Sequence, residues 1–397
     1  MAPAGVNLYC TIGSGLDPWV GFWDTGVQVE SVRRRTFLQT TAAGRLAPLL
    51  NMAQGEMPGK GIRLGYDTYS IRAFGWKAIR LLDYAAEQKL DVIQISSLGE
   101  YESLDPSHLA KVKSHAEGLG IAIDAGIGSI CPTSKSWNKR LGDPVAYIRQ
   151  GLQVAKAVGA STMRCYLGNS ADRLGPLPIE AHIESTVKVL RAVRSHALDL
   201  GVTIAVENHS GDLQARELLT LIEEAGKDFV GACLDAGNPL WSVEDPLFTL
   251  ETLGPCVRTT HIRDTAVWEH PRGAAVQWVA LGDGSIDWQH FLSRYRKLCP
   301  HAPMQLEIIT GRPPTILPYL EPEFWKAFPK ANAAEFARFL ALVKKGQPFM
   351  GRMIIADVPG KQPPEYVAAL REQQQIDLER SLDFAKKILG VGIHWQG

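Results

Sequence analysis

The chain has 397 residues, room for one large domain or two ordinary ones, and its 45% hydrophobic and 21% charged content is that of a globular protein with a sizeable core. Lys plus Arg and Asp plus Glu number 42 each, so the net charge is zero, no basic patch stands out and nucleic acid is excluded as an expected partner. The longest apolar runs fall far short of a membrane span, and six scattered cysteines without a CxxC pair argue against a zinc knuckle or a dense disulfide framework.

Residues 1–60 read as a leader outside the fold. Within them, Arg34-Arg35-Thr36-Phe37-Leu38 resembles the twin-arginine export motif, but the apolar stretch that follows is short and broken by Arg45. Two readings stand. An export signal would make the protein periplasmic; a basic, disordered leader with no address would leave it cytoplasmic. From residue 61 to 397 the chain reads as one α/β domain. Strands are predicted over 62–71, 91–97, 121–128, 162–168, 202–209, 230–238, 257–264 and 304–310. Helices are predicted between them over 75–88, 105–120, 143–159, 179–201, 214–226, 245–254 and 287–298. Such alternation implies right-handed βαβ units and a parallel sheet, and eight units in about 250 residues imply a closed (β/α)8 TIM barrel. An open doubly wound sheet is the alternative, disfavoured because the turn after the first strand, "YDTYSIRAFGW", has no glycine-rich phosphate loop. Residues 311–397 form a C-terminal helical extension. It holds a Pro- and aromatic-rich segment and then helices over 331–346 and 363–390, the last expected to close the barrel.

In a barrel of this kind the C-terminal strand ends carry the chemistry. The fifth strand ends in Glu207, Asn208 and His209, the sixth in Asp235 and Asn238, the seventh in His261, Arg263 and Asp264, and the eighth carries Glu307. An aspartate in "VGACLDAGN", beside Val, Cys and Leu, is costly to bury without a partner. Any one of these residues alone reads as a helix cap or an arginine partner. On four consecutive strands, Glu207, Asp235, His261 and Glu307 read together as a metal site. Their mixed oxygen and nitrogen donors suit one divalent ion, with Mn²⁺ the first expectation and Mg²⁺, Co²⁺ or Zn²⁺ the alternatives.

The stretches "VENH", "CLDAGN", "THIRD", "LGDGSIDW" and "QLEII" occur in the order and spacing of the xylose isomerase-like TIM barrels, and over about 62–310 the chain resembles that superfamily of sugar phosphate isomerases and epimerases. D-tagatose 3-epimerase, inosose dehydratase and 3-dehydroshikimate dehydratase belong to it. The resemblance implies that Glu207, Asp235, His261 and Glu307 bind the metal. It implies that Glu207 and Glu307 also act as the catalytic acid and base, through an enediolate of a small keto-sugar. It further implies a homo-oligomer associating through the barrel rims. Isomerisation or epimerisation is the first reading; a lyase or hydratase acting on a 3-keto-sugar or 3-keto-glycoside is the second. A non-catalytic sugar-binding barrel is a third class, and an endonuclease is disfavoured by sparse strand-end histidines and neutral charge.

There are departures from the family pattern. Asn238 stands where the epimerases have a substrate-binding histidine; its amide can bond a hydroxyl but cannot titrate near neutral pH. Arg272, in "HPRGAAVQW", stands near an arginine-glycine pair of the epimerases and reads either as a substrate ligand or as a solvated loop arginine. His209 reads as a substrate or metal contact or as a helix cap. Asp67, Tyr69, Trp137 and Arg164 are candidates to line the pocket, and in "LGDGSIDW" Asp287 is expected to cap a helix and Trp288 to pack on the barrel.

Overall fold

The structure is a computed structural model that describes residues 57–349 and 355–395; the Arg34-Arg35 motif of the expected leader lies outside the described residues. Seven strands follow in order: β1 (Leu64–Asp67), β2 (Val92–Ile95), β3 (Ala122–Ser129), β4 (Thr162–Tyr166), β5 (Thr203–Glu207), β6 (Val230–Asp235) and β7 (Val257–His261). Each pairs in parallel with the next, and β1 pairs in parallel with β10 (Met304–Leu306). A parallel bridge between Ile262 and Leu306 closes the ring, with Ile262 N donating to Gln305 O (2.7 Å) and Glu307 N to Ile262 O (3.0 Å). The eight-stranded barrel expected from the alternation is therefore present.

The helices around it are α1 (Ala78–Glu87), α2 (Pro106–Leu119), α3 (Pro144–Ala157), α4 (Ser170–Arg173), α5 (Ile179–Ala192), α6 (Arg194–Leu200), α7 (Ala215–Ala225), α8 (Pro246–Leu253) and α9 (Trp288–Leu298). Three of them start at an Asp-Pro pair, in which proline presets the first helical φ and has no amide to leave orphaned. In α3 and α8 the aspartate also caps, Asp143 accepting from Ala146 N and Asp245 from Leu247 N. Asp287 caps α9 through His290 N, and Trp288 is buried, as expected. The helix predicted over 179–201 is two helices, because buried Val193 leaves helical geometry at φ −109°, ψ 3°.

The strands have two faces, and period-2 alternation separates them. Leu64 and Tyr66, Ile93 and Ile95, Ile123 and Ala125, Met163 and Cys165, Ile204 and Val206, Ala232 and Leu234, and Met304 and Leu306 belong to the apolar core shared with the helices. The positions between them carry Asp67, Gln94, Asp124, Arg164, Glu207, Asp235 and Gln305, all buried. Some of their hydrogen bonds cross the barrel, Asp124 Oδ2 accepting from Thr259 Oγ1 and Gln305 Nε2, both at 2.8 Å, and others join neighbouring strands, Gln94 Nε2 donating to Asp67 Oδ2 at 3.0 Å. The interior is thus a polar network along the axis.

One element was absent from the strand pattern. The strand predicted over 257–264 stops at His261, and the chain turns into a hairpin of β8 (Asp264–His270) and β9 (Gly273–Val279). Strand β11 (Thr315–Leu317) joins it antiparallel, and α10 (Ala333–Lys345) packs on this sheet over a second core of Val267, Ala274, Val276, Leu317, Phe339 and Val343. Asp264 ties this sheet to the barrel, accepting from Gly282 N (3.0 Å) and Trp288 Nε1 (2.7 Å). Helix α11 (Pro364–Lys387) takes the position of the eighth barrel helix. It buries Leu378, Leu382 and Ala385, and its Ser381 Oγ accepts from Leu281 N at 3.1 Å.

Candidate metal centre

Glu207, Asp235, His261 and Glu307 come together at the C-terminal end of the barrel, each offering one ligand atom within 4.8 Å of the others, and all four are buried. His261 Nδ1 lies 3.3 Å from Glu207 Oε2 and 3.1 Å from Glu307 Oε2. His261 Nδ1 has no hydrogen bond although it is fully buried, and the oxygen of Glu307 facing it, Oε2, is paired with the Arg263 guanidinium. Carboxylate oxygens and an unbonded imidazole nitrogen that converge on one buried point are what a small cation would satisfy, so the residues fit a divalent ion with oxygen and nitrogen donors. On the far side of the imidazole, Nε2 lies 3.4 Å from Asp67 Oδ2 and also contacts the Gln94 amide. A carboxylate there would hold a proton on Nε2 and leave Nδ1 able to serve as a ligand. Cys233 lies near the same point, but burial pushes its thiol up, which keeps it protonated.

The sequence around Asp235 explains how a carboxylate is held there. The turn that follows the strand folds back, so Gly237 N (2.7 Å) and Asn238 N (2.8 Å) both donate to Asp235 Oδ1. Asn238 Nδ2 donates to Asp235 Oδ2 at 2.8 Å and to Asn208 O at 3.0 Å. The Asn208 side chain bridges the two strands, exchanging two bonds of 2.9 Å with the Asp235 backbone. Asn238 is therefore part of the cluster, with its Oδ1 buried and unbonded.

Two guanidinium groups balance the acids. Arg164 Nε donates to Glu207 Oε2 at 2.6 Å. Arg263, 1% exposed, pairs through Nη2 with Asp235 Oδ2 (2.6 Å) and with Glu307. A Cβ on Gly237 would stand 2.5 Å from Arg263 Cγ, so the glycine makes room for the arginine stem. The Trp278 ring lies 5.0 Å from the Arg263 guanidinium carbon and is tilted against Trp241. Burial would raise the Glu207 carboxyl, but Arg164 and His261 outweigh it and hold the group well below the usual range. Burial pushes Asp235 up to about 6 against the pull of Arg263.

The other expected residues are distributed unevenly. His209 is near the cluster: its ring stacks on Tyr166 at 3.9 Å, its Nδ1 is 2.6 Å from Gly168 O, and burial lowers its pKa to about 4, so it is neutral at pH 7. Asp67 and Arg164 reach the cluster, as described. Arg272 does not: it sits at the tip of the β8–β9 hairpin, its side chain 56% exposed and paired with Glu321. The hairpin carries this loop out to solvent, which the strand-then-loop reading of 257–278 did not anticipate. Gln94 and the inward position of Arg263 were missed. The signal was present, because a strand period of two puts Arg263 on the face of His261.

The fold and the strand-end cluster define a (β/α)8 barrel with a buried acidic centre whose donors could hold a metal ion. Residues 73–328 match the family model of the xylose isomerase-like TIM barrel, and the chain belongs to that family. Two curated relatives are similar to it. The uncharacterized protein YihM of Escherichia coli (strain K12) is 27% identical over 217 residues, which cover 54% of this chain and 60% of YihM. A 3-oxo-isoapionate decarboxylase of Pectobacterium atrosepticum is 23% identical over 237 residues, 57% of this chain and 78% of the relative. The chain thus spans less than two thirds of YihM. Among solved structures, a D-psicose 3-epimerase in the presence of D-fructose has a TM-score of 0.53 at 18% identity, covering 83% of this chain and 100% of that one. Among the described residues, no helix is long and apolar enough to cross a membrane.

Proposed function

We propose that the protein is a divalent-metal-dependent enzyme that isomerises or epimerises a keto-sugar through an enediolate. The observation that carries this reading is the convergence of Glu207, Asp235, His261 and Glu307 on one buried point, where Nδ1 of His261 has no hydrogen bond. A divalent cation held there would polarise the substrate carbonyl and stabilise the enediolate charge.

The chain's own residues do the rest. Glu307 removes the proton beside the carbonyl, and Glu207 returns one to the opposite face. Oδ1 of Asn238 accepts a substrate hydroxyl, and neutral His209 offers Nε2 to another, its Nδ1 being committed to Gly168 O. Arg263 and Trp278 bound the site on the side of the hairpin sheet and limit water there.

A second reading is supported by one of the relatives. Arg164 bonds Glu207 and Arg263 pairs with Glu307, so each carboxylate has a guanidinium partner. A reaction needing only one base, elimination or decarboxylation of a 3-keto-sugar acid, uses the same cluster, and the relative named as a decarboxylase supports it. The test is metal analysis of the purified full chain together with deuterium incorporation from D₂O into a panel of ketoses and 3-keto-glycosides. One ion per chain and deuterium beside the carbonyl are expected, and the product separates epimerase from lyase. A metal-free chain with no exchange on any substrate would replace this reading with that of a sugar-binding barrel.

A further inference from the structure

The N-terminal end of the barrel, opposite the acidic cluster, holds an open cavity of about 610 Å³. Its wall comes from the starts of β3, β4 and β7 and from the last turns of α2 and α3. Four permanent cations line it, Arg63, Lys113, Lys156 and Arg258, against two acids, Glu117 and Asp124. Lys113 is 3.8 Å from Glu117. Arg63, Lys156 and Arg258 have no carboxylate within ion-pair distance among the described residues. The backbone is shaped to admit these side chains. A Cβ on Gly231 would stand 2.5 Å from Arg258 Cγ and 3.3 Å from its Nε, so the arginine stem lies flat across the start of β6. The stem of Lys113 lies over Gly159 in the same way, 3.3 Å from the position of a Cβ.

The cavity also has a built polar wall. Asp124 is nine-tenths buried, and its Oδ2 takes both hydrogen bonds, from Thr259 and Gln305, while Oδ1 takes none from a described residue. A barrel end whose only task is stability would be filled by branched apolar side chains. This one presents Lys156 and Arg258, neither with a carboxylate partner among the described residues, and Arg63, held by the His301 carbonyl at 3.4 Å, around a fixed carboxylate, in a volume within the range of small-ligand pockets.

We propose that this cavity is a second, non-catalytic site for a small organic anion that also carries hydroxyl groups, either a sugar phosphate or a hydroxy-polycarboxylate. Arg63, Lys156 and Arg258 take the anionic end, and Asp124 accepts a hydroxyl.

The test is calorimetric titration of the metal-free full chain at low salt with glucose 6-phosphate, with citrate and with neutral glucose. One of the two anions is expected to bind saturably, one per chain, and glucose not at all. Glucose 6-phosphate binding identifies a phosphate ester, citrate binding a polycarboxylate. Arg258→Ser combined with Lys156→Ser, both at exposed positions, should weaken binding by about tenfold or more without moving the thermal midpoint. Arg263→Gln, at the other end of the barrel, should leave binding intact. Absence of saturable binding by both anions, or an unchanged affinity in the double variant, overturns the proposal. So does loss of binding in Arg263→Gln alone, because the anion would then sit at the acidic cluster. A metal-free or inactive enzyme leaves this test unaffected, so it stands or falls apart from the proposed reaction.

Discussion

Toward the helices, the barrel strands bury Leu64, Ile93, Ile123, Met163, Ile204 and Leu234; from alternate positions the same strands send Asp67, Gln94, Asp124, Arg164, Glu207 and Asp235 into the interior. The outer face stabilises the fold by ordinary burial, about 1.5–3 kcal/mol for each large aliphatic side chain. The inner face stabilises less for what it buries. Each carboxylate there is desolvated, a cost that the guanidinium groups of Arg164 and Arg263 are needed to offset. A fold selected for stability alone would fill the interior with apolar side chains, so the difference between the faces separates what holds the molecule together from what it is for.

That comparison can be broken at chosen points. The largest effect is expected at Glu307→Gln, which keeps the shape but removes the proposed base. Turnover should fall about 10³-fold, within the usual range for general acid–base catalysis, with a drop in thermal midpoint smaller than that of a core truncation, because buried Arg263 loses one carboxylate partner but keeps Asp235. A midpoint loss comparable to a core truncation would show that the inner face is structural after all. The opposite pattern is expected for Ile204→Ala on the outer face of the strand that carries Glu207. It should cost about 2–5 kcal/mol in denaturant unfolding, while metal affinity per folded molecule changes little. Equal loss of metal affinity would mean that the two faces are not separable.

Asp264→Ala sharpens the comparison at the boundary between the barrel and the hairpin sheet. It strands the Trp288 indole N–H and the Gly282 amide, for an expected loss of about 1–3 kcal/mol. Because Asp264 follows the strand of His261 but touches none of the four clustered residues, metal stoichiometry should stay the same. The smallest effect is expected at Arg272→Ala. Its pair with Glu321 is at the surface, where such pairs contribute about 0–1 kcal/mol. A change in KM for any substrate of the enzyme would return Arg272 to the binding site.

The amino-acid sequence by itself determined the barrel and which side chains gather at its strand ends. Alternating strand and helix patterns are local, and Asp-Pro pairs and capping aspartates mark helix starts without help from distant residues. The parallel order then leaves few topologies, and the strand-end residues Glu207, Asp235, His261 and Glu307 fall on one rim because consecutive strands are neighbours. Only the tertiary structure decided what surrounds them. That Gln94 from β2 meets His261 from β7, and that Thr259 and Gln305 meet Asp124, are contacts across the barrel. Residues so far apart in sequence carry no local mark of such contacts. The hairpin sheet was hidden for the same reason. Residues 264–279 alternate too weakly to announce a strand pair, and they are held by β11 and α10, which come much later in the chain. Arg272 therefore went out to solvent and Arg263 turned in, because the end of a strand is set by what packs against it as much as by its own side chains.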